Sequence, residues 1–537
     1  MTRPDLSARA RDWAIWLTEQ PSVTGSEGER LLPERLKERI AATPALREAA
    51  VWLIPADDAL GRACLAVLVR GRGAETVLLT GHFDTVAVED YGALAPLATQ
   101  PLALREALLA RLATAATPAE RRAQADLTSG IFLPGRGLLD MKAGLAAGLA
   151  ALEAFAADPE REGNLLFVAV PDEEVNSVGA RALARAIPGI EATEAIRLVA
   201  AVNLDAIADD GDGSEGRSIA LGSVGKVLLT AFVVGRSAHA CYPLAGLNAA
   251  ALAGAIAAAV EWSPALADRT GPEAGMPPTL LTLKDGKVHY DVTTPETAFA
   301  AWNALTLGRS AEDVLAAFRD TVAEAVETAR AALGQRASML GSEPAVPAVE
   351  IIEAGILLGE VMALDADGFG AHGERLAQEG LDLPEQCRRL TAWAWGRTGR
   401  SGPAVVIGFG SLPYPAVRLG EGPLARRLAE AVEAARLKAQ AASGESLRVI
   451  AFFPGISDMS FLGEADTAGV QLIAANTPAW ASGVRWSGEV GAIPTVNIGP
   501  WGRDYHTPIE RLHAPFAFEV LPALVLDTAK EALRREA

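Results

Sequence analysis

The residues able to bind a metal or move a proton recur at the ends of apolar runs. Val77 to Thr80 reads as a buried strand that Gly81 ends, and His82 and Asp84 stand two apart just beyond it. Acids follow in similar places at Asp140, at Glu173 with Glu174, and at Asp205, and His506 comes late in the chain. Open α/β sheets place ligands at such strand ends, so these side chains are expected to converge on a pair of metal ions. Two histidines and several carboxylates, with no cysteine among them, suit zinc, with manganese or cobalt as alternatives. Two ions roughly 3.5–4 Å apart would need one bridging acid, and a further carboxylate held off the metals to act as base. Adjacent side chains point different ways, so one of Glu173 and Glu174 can ligate while the other does not. Blander readings stay open. A histidine two before an aspartate is a common surface accident, and Asp172-Glu173-Glu174 reads equally well as a helix N-terminus.

The elements that must position these groups alternate between strand and helix. Residues 5–41 look helical, broken at Pro21-Ser22-Val23-Thr24-Gly25. Strands are expected at 62–69, 76–80 and 165–170. Residues 137–154 form a turn and then an Ala/Leu/Gly helix small enough to pack tightly on a sheet. Gly135-Arg136-Gly137 lacks the third glycine of a dinucleotide fingerprint. Asp209, Asp210 and Asp212 look like a solvated turn, not a calcium loop. Residues 102–125 are rich in Ala, Leu and Arg and read as a helical surface insertion, with a lid as the other reading. From 217 the rhythm changes. Strands at 217–221 and 227–235 precede a helix near 247–262, strands near 279–283 and 297–303, and a helix from Ser310 to about Leu333 behind a capping-box signature. This order suggests a small split-βαβ domain. Residues 340–400 read as extra helix and linker. Strands near 405–409, 448–453 and 494–499 and a helix near 423–441 complete the chain.

Bulk properties bound the function classes. With 537 residues, half of them hydrophobic, the chain can bury a large core and is expected to form more than one domain. The formal charge of −19 repels nucleic acid and anionic membrane, and no basic block offsets it. Cys64, Cys241 and Cys387 are isolated, which fits a reducing cytoplasm. The polar N-terminus lacks the apolar run of a signal peptide, and no apolar stretch of about 18 residues is present to span a bilayer.

Five short motifs in order resemble the M20 metallopeptidase family: Gly-His-Phe-Asp-Thr-Val at 81–86, Leu-Asp-Met-Lys-Ala-Gly at 139–144, Asp-Glu-Glu at 172–174, Gly-Arg-Ser-Ala-His-Ala at 235–240 and Tyr-His-Thr-Pro-Ile-Glu at 505–510. Phe-Phe-Pro-Gly-Ile-Ser-Asp at 452–458 and the length look like its arginine-utilisation branch. The resemblance implies a three-layer α/β/α di-zinc catalytic domain carrying an inserted, smaller α+β (ferredoxin-like) lid or dimerisation domain. The corresponding division is 1–213 and 405–537 for the catalytic domain, 214–345 for the insert, and 346–404 for an extra helical or linker segment.

The same resemblance implies that His82 and Asp205 bind one metal, that Glu174 and His506 bind the other, and that Asp140 bridges them. Glu173 would be the general base and Asp84 would orient His82 from behind. A cis peptide would follow Asp140. His239 would come from the smaller domain to stabilise the oxyanion, often across a dimer interface in this family; a structural surface histidine is the other reading. Asn248, Ser457 and Asp458 are candidate substrate-binding residues, and His289, His372 and His513 are left as structural. Leu305 and Ser460 stand where family members that grip a substrate carboxylate often carry arginine, and Asn176 replaces a frequent glycine. The expected activity is hydrolysis of a peptide-like or N-acyl amide bond by metal-activated water, in amino-acid (arginine) catabolism. The alternative is a catalytically silent binding or regulatory protein with the same fold. The expected partners are a small peptide or acyl-amino-acid substrate and a second copy of the chain, with no nucleic acid and no membrane.

Overall fold

The computed structural model describes residues 5–271, 273–342, 347–464 and 466–534. The chain divides into two compact units. Unit 1 takes Met1–Ser223, Val417–Ala465 and Glu489–Ala537; unit 2 takes Val224–Ala416 and Asp466–Gly488.

Unit 1 is built on an eight-stranded sheet. Its order is Ala50–Pro55, Ala63–Arg70, Glu162–Val170, Arg72–His82, Arg197–Asn203, Thr495–Ile498, Ser218–Ala220 and Arg448–Ile450. The four strands from Glu162–Val170 to Thr495–Ile498 are parallel, so their C-terminal ends share one edge. Alternation along each strand splits the apolar side chains between two faces. Leu65, Val67, Val77, Leu79, Leu165 and Phe167 join one core, with helices Leu6–Thr18, Ala143–Ala156, Pro423–Ser443 and Leu521–Leu533. Cys64, Ala66, Leu68, Leu78, Leu166 and Val168 join the other, under helix Val178–Glu194. Both faces are therefore covered, which is why these strands read as continuous apolar runs.

The stretch expected as a surface insertion is part of this core. Helices Pro101–Arg111 and Pro118–Ser129 bury Leu104, Leu108, Ala123 and Leu127 in it. They lead into Phe132–Pro134, the edge of a second sheet ordered Phe132–Pro134, Arg511–His513, Trp501–Arg503 and Ile207–Ala208. The expected solvated turn is also more ordered than read. Asp209 is buried and its carboxylate accepts the N–H groups of Gly211, Glu215 and Gly216, while Asp210 and Asp212 are exposed.

Unit 2 carries a five-stranded sheet ordered Thr279–Asp285, Thr297–Thr306, Gly225–Val234, Ala404–Phe409 and Glu350–Glu353. The first four are antiparallel neighbours in the split-βαβ manner, and the last pairs parallel. Helices Ala249–Val260 and Ala311–Met339 pack on one face through Leu252, Ile256, Phe318 and Val322. The other face is covered by helices Ala354–Gln378 and Leu383–Thr398 through Leu357, Val361, Ala394 and Trp395. Residues 354–398 are thus the extra helix expected, forming a third layer of unit 2, while Glu350–Glu353 joins its sheet. Two strands lie in a different sheet from the one expected. Ser218–Ala220 belongs to the large sheet, and Ala404–Phe409 to that of unit 2. A short apolar run signals a buried strand but carries no mark of which sheet takes it.

Candidate metal centre

The site lies at the C-terminal edge of the parallel strands of unit 1. His82 is the last residue of Arg72–His82, Glu173 and Glu174 follow Glu162–Val170, and Asp205 follows Arg197–Asn203. Asp140 lies in the turn before helix Ala143–Ala156, and the Asp140–Met141 peptide is cis. His506 hangs on the loop between Trp501–Arg503 and Arg511–His513.

These side chains meet. His82 Nε2 is 3.1 Å from Asp140 Oδ1, and His506 Nε2 is 3.2 Å from Asp140 Oδ2 and 3.1 Å from Glu174 Oε1. Two triads that could hold a metal ion result, His82/Asp140/Asp205 and Asp140/Glu174/His506, each with its donor atoms within 4.8 Å of one another. Asp140 is common to both. Glu173 belongs to neither triad, and its Oε2 lies 3.9 Å from His82 Nε2.

Behind this cluster its residues are held by hydrogen bonds. Asp84 is fully buried; its Oδ1 accepts the N–H of Glu173 at 3.1 Å and its Oδ2 that of Glu174 at 3.3 Å. Thr24 Oγ1 donates to Asp84 Oδ2 at 2.8 Å, so the segment read only as a helix break straps the site. His82 Nδ1 faces the Asp84 carbonyl oxygen at 3.1 Å. Asp172 turns to Arg62, 2.5 Å from its Oδ1, which also pairs Glu29 and Asp58. The three consecutive acids are therefore separated into two partly exposed site carboxylates and one buried ion pair. Asn497 grips Asp205 twice, accepting its N–H at 3.1 Å and donating to its carbonyl at 2.8 Å. Gly144 and Gly499 let the chain close on this segment. A Cβ on Gly144 would fall 2.0 Å from the Leu204 carbonyl oxygen, and one on Gly499 1.8 Å from that of Asp205.

The electrostatics report crowded negative charge. Burial pushes the Glu173 carboxyl well up, and Asp205, Asp458 and Glu174 push it further. Burial and Asp140 raise Asp205 to about 8, and burial and Asp140 also raise Glu174. Asp140 is held below the usual carboxylate range, against its burial, by the hydrogen bonds of His506 and His82. Those from Asp140 and Glu174 raise His506 to about 10. Three carboxylates and two imidazoles in the triads, two of the carboxylates with raised proton affinity, make a donor set that fits divalent cations.

Of the remaining candidates, Ser457 and Asp458 border the cluster and His239 and Asn248 do not belong to unit 1. Ser457 is fully buried, and its Oγ accepts from Asn203 at 2.9 Å, so it serves the network behind Asp205. Asp458 is buried, and burial with Asp84 and Asp172 raises it to about 7 against the influence of His82. His239 and Asn248 belong to unit 2. His239 is exposed and its Nδ1 accepts the N–H of Cys241 at 3.1 Å. Asn248 caps helix Ala249–Val260, its Oδ1 accepting from Ala250 and Ala251. Thr24, Arg62 and Asn497 had no signal in the sequence, since each acts through contacts remote along the chain.

The sequence model of peptidase family M20/M25/M40 matches residues 78–480. YqjN of Bacillus subtilis is 32% identical over 97% of this chain and 95% of its own length, and RocB of the same organism is 29% identical over 96% and 94%. Among solved structures, a tripeptidase of Staphylococcus aureus superposes with a TM-score of 0.52 at 16% identity, covering 98% of this chain and 99% of its own. The aminopeptidase PepT of Bacillus cereus gives 0.53 at 17%, with the same coverage. At such identities the structures speak for the fold, and the family match carries the assignment. With that match over most of its length, the protein is a member of peptidase family M20/M25/M40 and a hydrolase of the metallopeptidase type.

Proposed function

We propose that the protein hydrolyses the amide C–N bond of a small peptide-like or N-acyl amino-acid substrate, with two divalent cations, zinc foremost, in the two triads. The observation that carries this reading is the position of Asp140 in both ligand sets. His82 and Asp205 would complete one site and Glu174 and His506 the other. When bound, such paired cations polarise the scissile carbonyl and make water acidic enough to attack at neutral pH. Glu173, close to His82 but outside both triads, takes the proton of the attacking water and returns it to the leaving nitrogen. Asp84 fixes the backbone of Glu173 and Glu174 and backs His82. By the resemblance His239 would take the oxyanion-stabilising part, and Asp458, buried beside Glu173, is the candidate for substrate contact.

A place in arginine catabolism is supported by the Phe452–Asp458 motif and by the likeness to RocB. A homodimer is supported by the edge strand Thr279–Asp285, which exposes Leu281 and Leu283. Among the described residues no helix is long and apolar enough to cross a membrane. The three free cysteines support a reducing, cytoplasmic setting.

The test is a panel of dipeptides and acyl-amino acids with added Zn, Mn or Co, run on the wild type and on Glu173→Gln. The wild type should bind two cations and turn over at least one class. The variant should keep the cations and lose about 10²–10⁴-fold in rate. Undiminished activity in the variant rejects Glu173 as the base. Silence of the loaded wild type across the panel favours the binding or regulatory alternative.

A further inference from the structure

The inserted helices have no part in the reading above, yet one of their acids reaches both strands that flank His506. Arg503 Nη1 donates to the two carboxylate oxygens of Asp126 at 2.6 and 2.8 Å, and Arg511 Nε donates to Oδ2 at 2.8 Å. Arg511 is fully buried. It passes the contact on, with Nη1 donating to Asp504 Oδ2 at 2.6 Å and to the Ile509 carbonyl at 2.9 Å. Arg122, one turn earlier on the same helix, lies 3.5 Å from Asp504 Oδ1 and pairs Asp210 at 2.8 Å. Arg503 also donates to the carbonyls of Asp209 and Gly211.

The loop so gripped is an unfavourable one. Asp504 and His506 both hold left-handed backbone, with φ of 53° and 61°, and neither is glycine. Such residues persist only where their surroundings over-determine them. His506 itself is exposed, so little packing fixes it. The charged contacts on Asp504 add to the hydrogen bonds that Thr507 donates to its carbonyl.

Resting on the two-cation reading above, we infer that Asp126 is a positioning residue for the Glu174/His506 cation site, acting through Arg503 and Arg511 on the 504–506 loop. Without its charge two arginines, one fully buried, lose a shared counter-ion, and the strands flanking the loop keep only their own pairing. The far site, His82 with Asp205, shares none of these contacts and should not respond.

The experiment titrates metal-free full-length protein with zinc by calorimetry, comparing wild type, Asp126→Asn, Asp126→Glu and Arg122→Ala. His506→Ala marks which binding step belongs to the near site, and circular dichroism and thermal melting monitor the fold. Asp126→Asn should weaken the step lost in His506→Ala by about 10–100-fold and leave the other within about twofold. Asp126→Glu should recover part of the loss. If Asp126→Asn fails to fold, Arg122→Ala decides, with about a 2–5-fold weakening of the same step expected from removing one contact to Asp504. Two unchanged steps in the folded variants, or equal weakening of both, overturn the inference. A wild type that takes up no zinc overturns the two-cation reading and this inference with it.

Discussion

Asp84 holds Glu173 by its backbone: the carboxylate accepts the Glu173 N–H at 3.1 Å and, with its other oxygen, the Glu174 N–H at 3.3 Å. One buried side chain thus sets the position of the proposed base and of a proposed ligand together. Asp84→Asn turns one acceptor into a donor facing an N–H. We expect activity to fall by about 10–100-fold with the fold retained. Steady-state kinetics beside metal analysis check this, and an unchanged kcat/KM sinks it.

Asn497 does for Asp205 what Asp84 does for the glutamates. Its side chain satisfies both the N–H and the carbonyl of Asp205 and accepts from Asn203. Asn497→Leu leaves those buried groups unpaired, at about 1–3 kcal/mol for each. Urea unfolding should show a loss of at least about 2 kcal/mol. A midpoint equal to that of the wild type would contradict the network.

Gly499 is required by proximity, since a Cβ there would lie 1.8 Å from the Asp205 carbonyl oxygen. That atom is backbone and cannot swing away. Gly499→Ala should cost about 1–3 kcal/mol and displace Asp205. Thermal melting with and without zinc measures both effects. A variant as stable as the wild type and equally stabilised by zinc would refute the close contact.

Stability should also depend on pH through two buried glutamates. Glu510 accepts from Arg136 and from the N–H of Gly137, and burial raises it to about 7. Burial and then Asp84 raise Glu29 to about 7 as well. A folded-state value above the ordinary 4.5 means that the folded state holds the proton more tightly. The resulting stabilisation is complete below pH 4.5 and is lost as pH rises through about 7. In metal-free protein the Glu510→Gln and Glu29→Gln variants should lose less stability than the wild type between pH 5 and pH 8. Denaturant midpoints over that range test it, and parallel curves would reject it.

The proposed dimer makes its own prediction. Leu283 lies 47% exposed on the edge strand of unit 2. Leu283→Lys places a charge on a strand edge, a common device against edge pairing, and should shift the protein toward monomer. Light scattering at several concentrations reports the mass. A wild type that is already monomeric removes the proposal.

The insertion and the 340–400 stretch show where reading along the chain stops. Leu104, Leu108 and Leu127 are spaced as on any half-buried helix, so nothing local said that they join the main core. The helix at 354–378 likewise shows an apolar stripe without showing which sheet face it covers. Strand membership failed for the same reason at Ser218–Ala220 and Ala404–Phe409.

What the sequence determined by itself was the family and the set of candidate groups. Residue type singled out His82, Asp140, Glu173, Glu174, Asp205 and His506, and parallel strands deliver His82, the two glutamates and Asp205 to one edge, whereas Asp140 comes from a turn and His506 from a loop of the second sheet. Only the tertiary structure decided how those groups are held. Asp84 on the backbone of Glu173, Asn497 on Asp205 and Asp126 on the arginines beside His506 are pairings across about 89, 292 and 377 positions. A hydrogen bond depends on separation in space, and packing brings together residues whose order along the chain gives no hint of it.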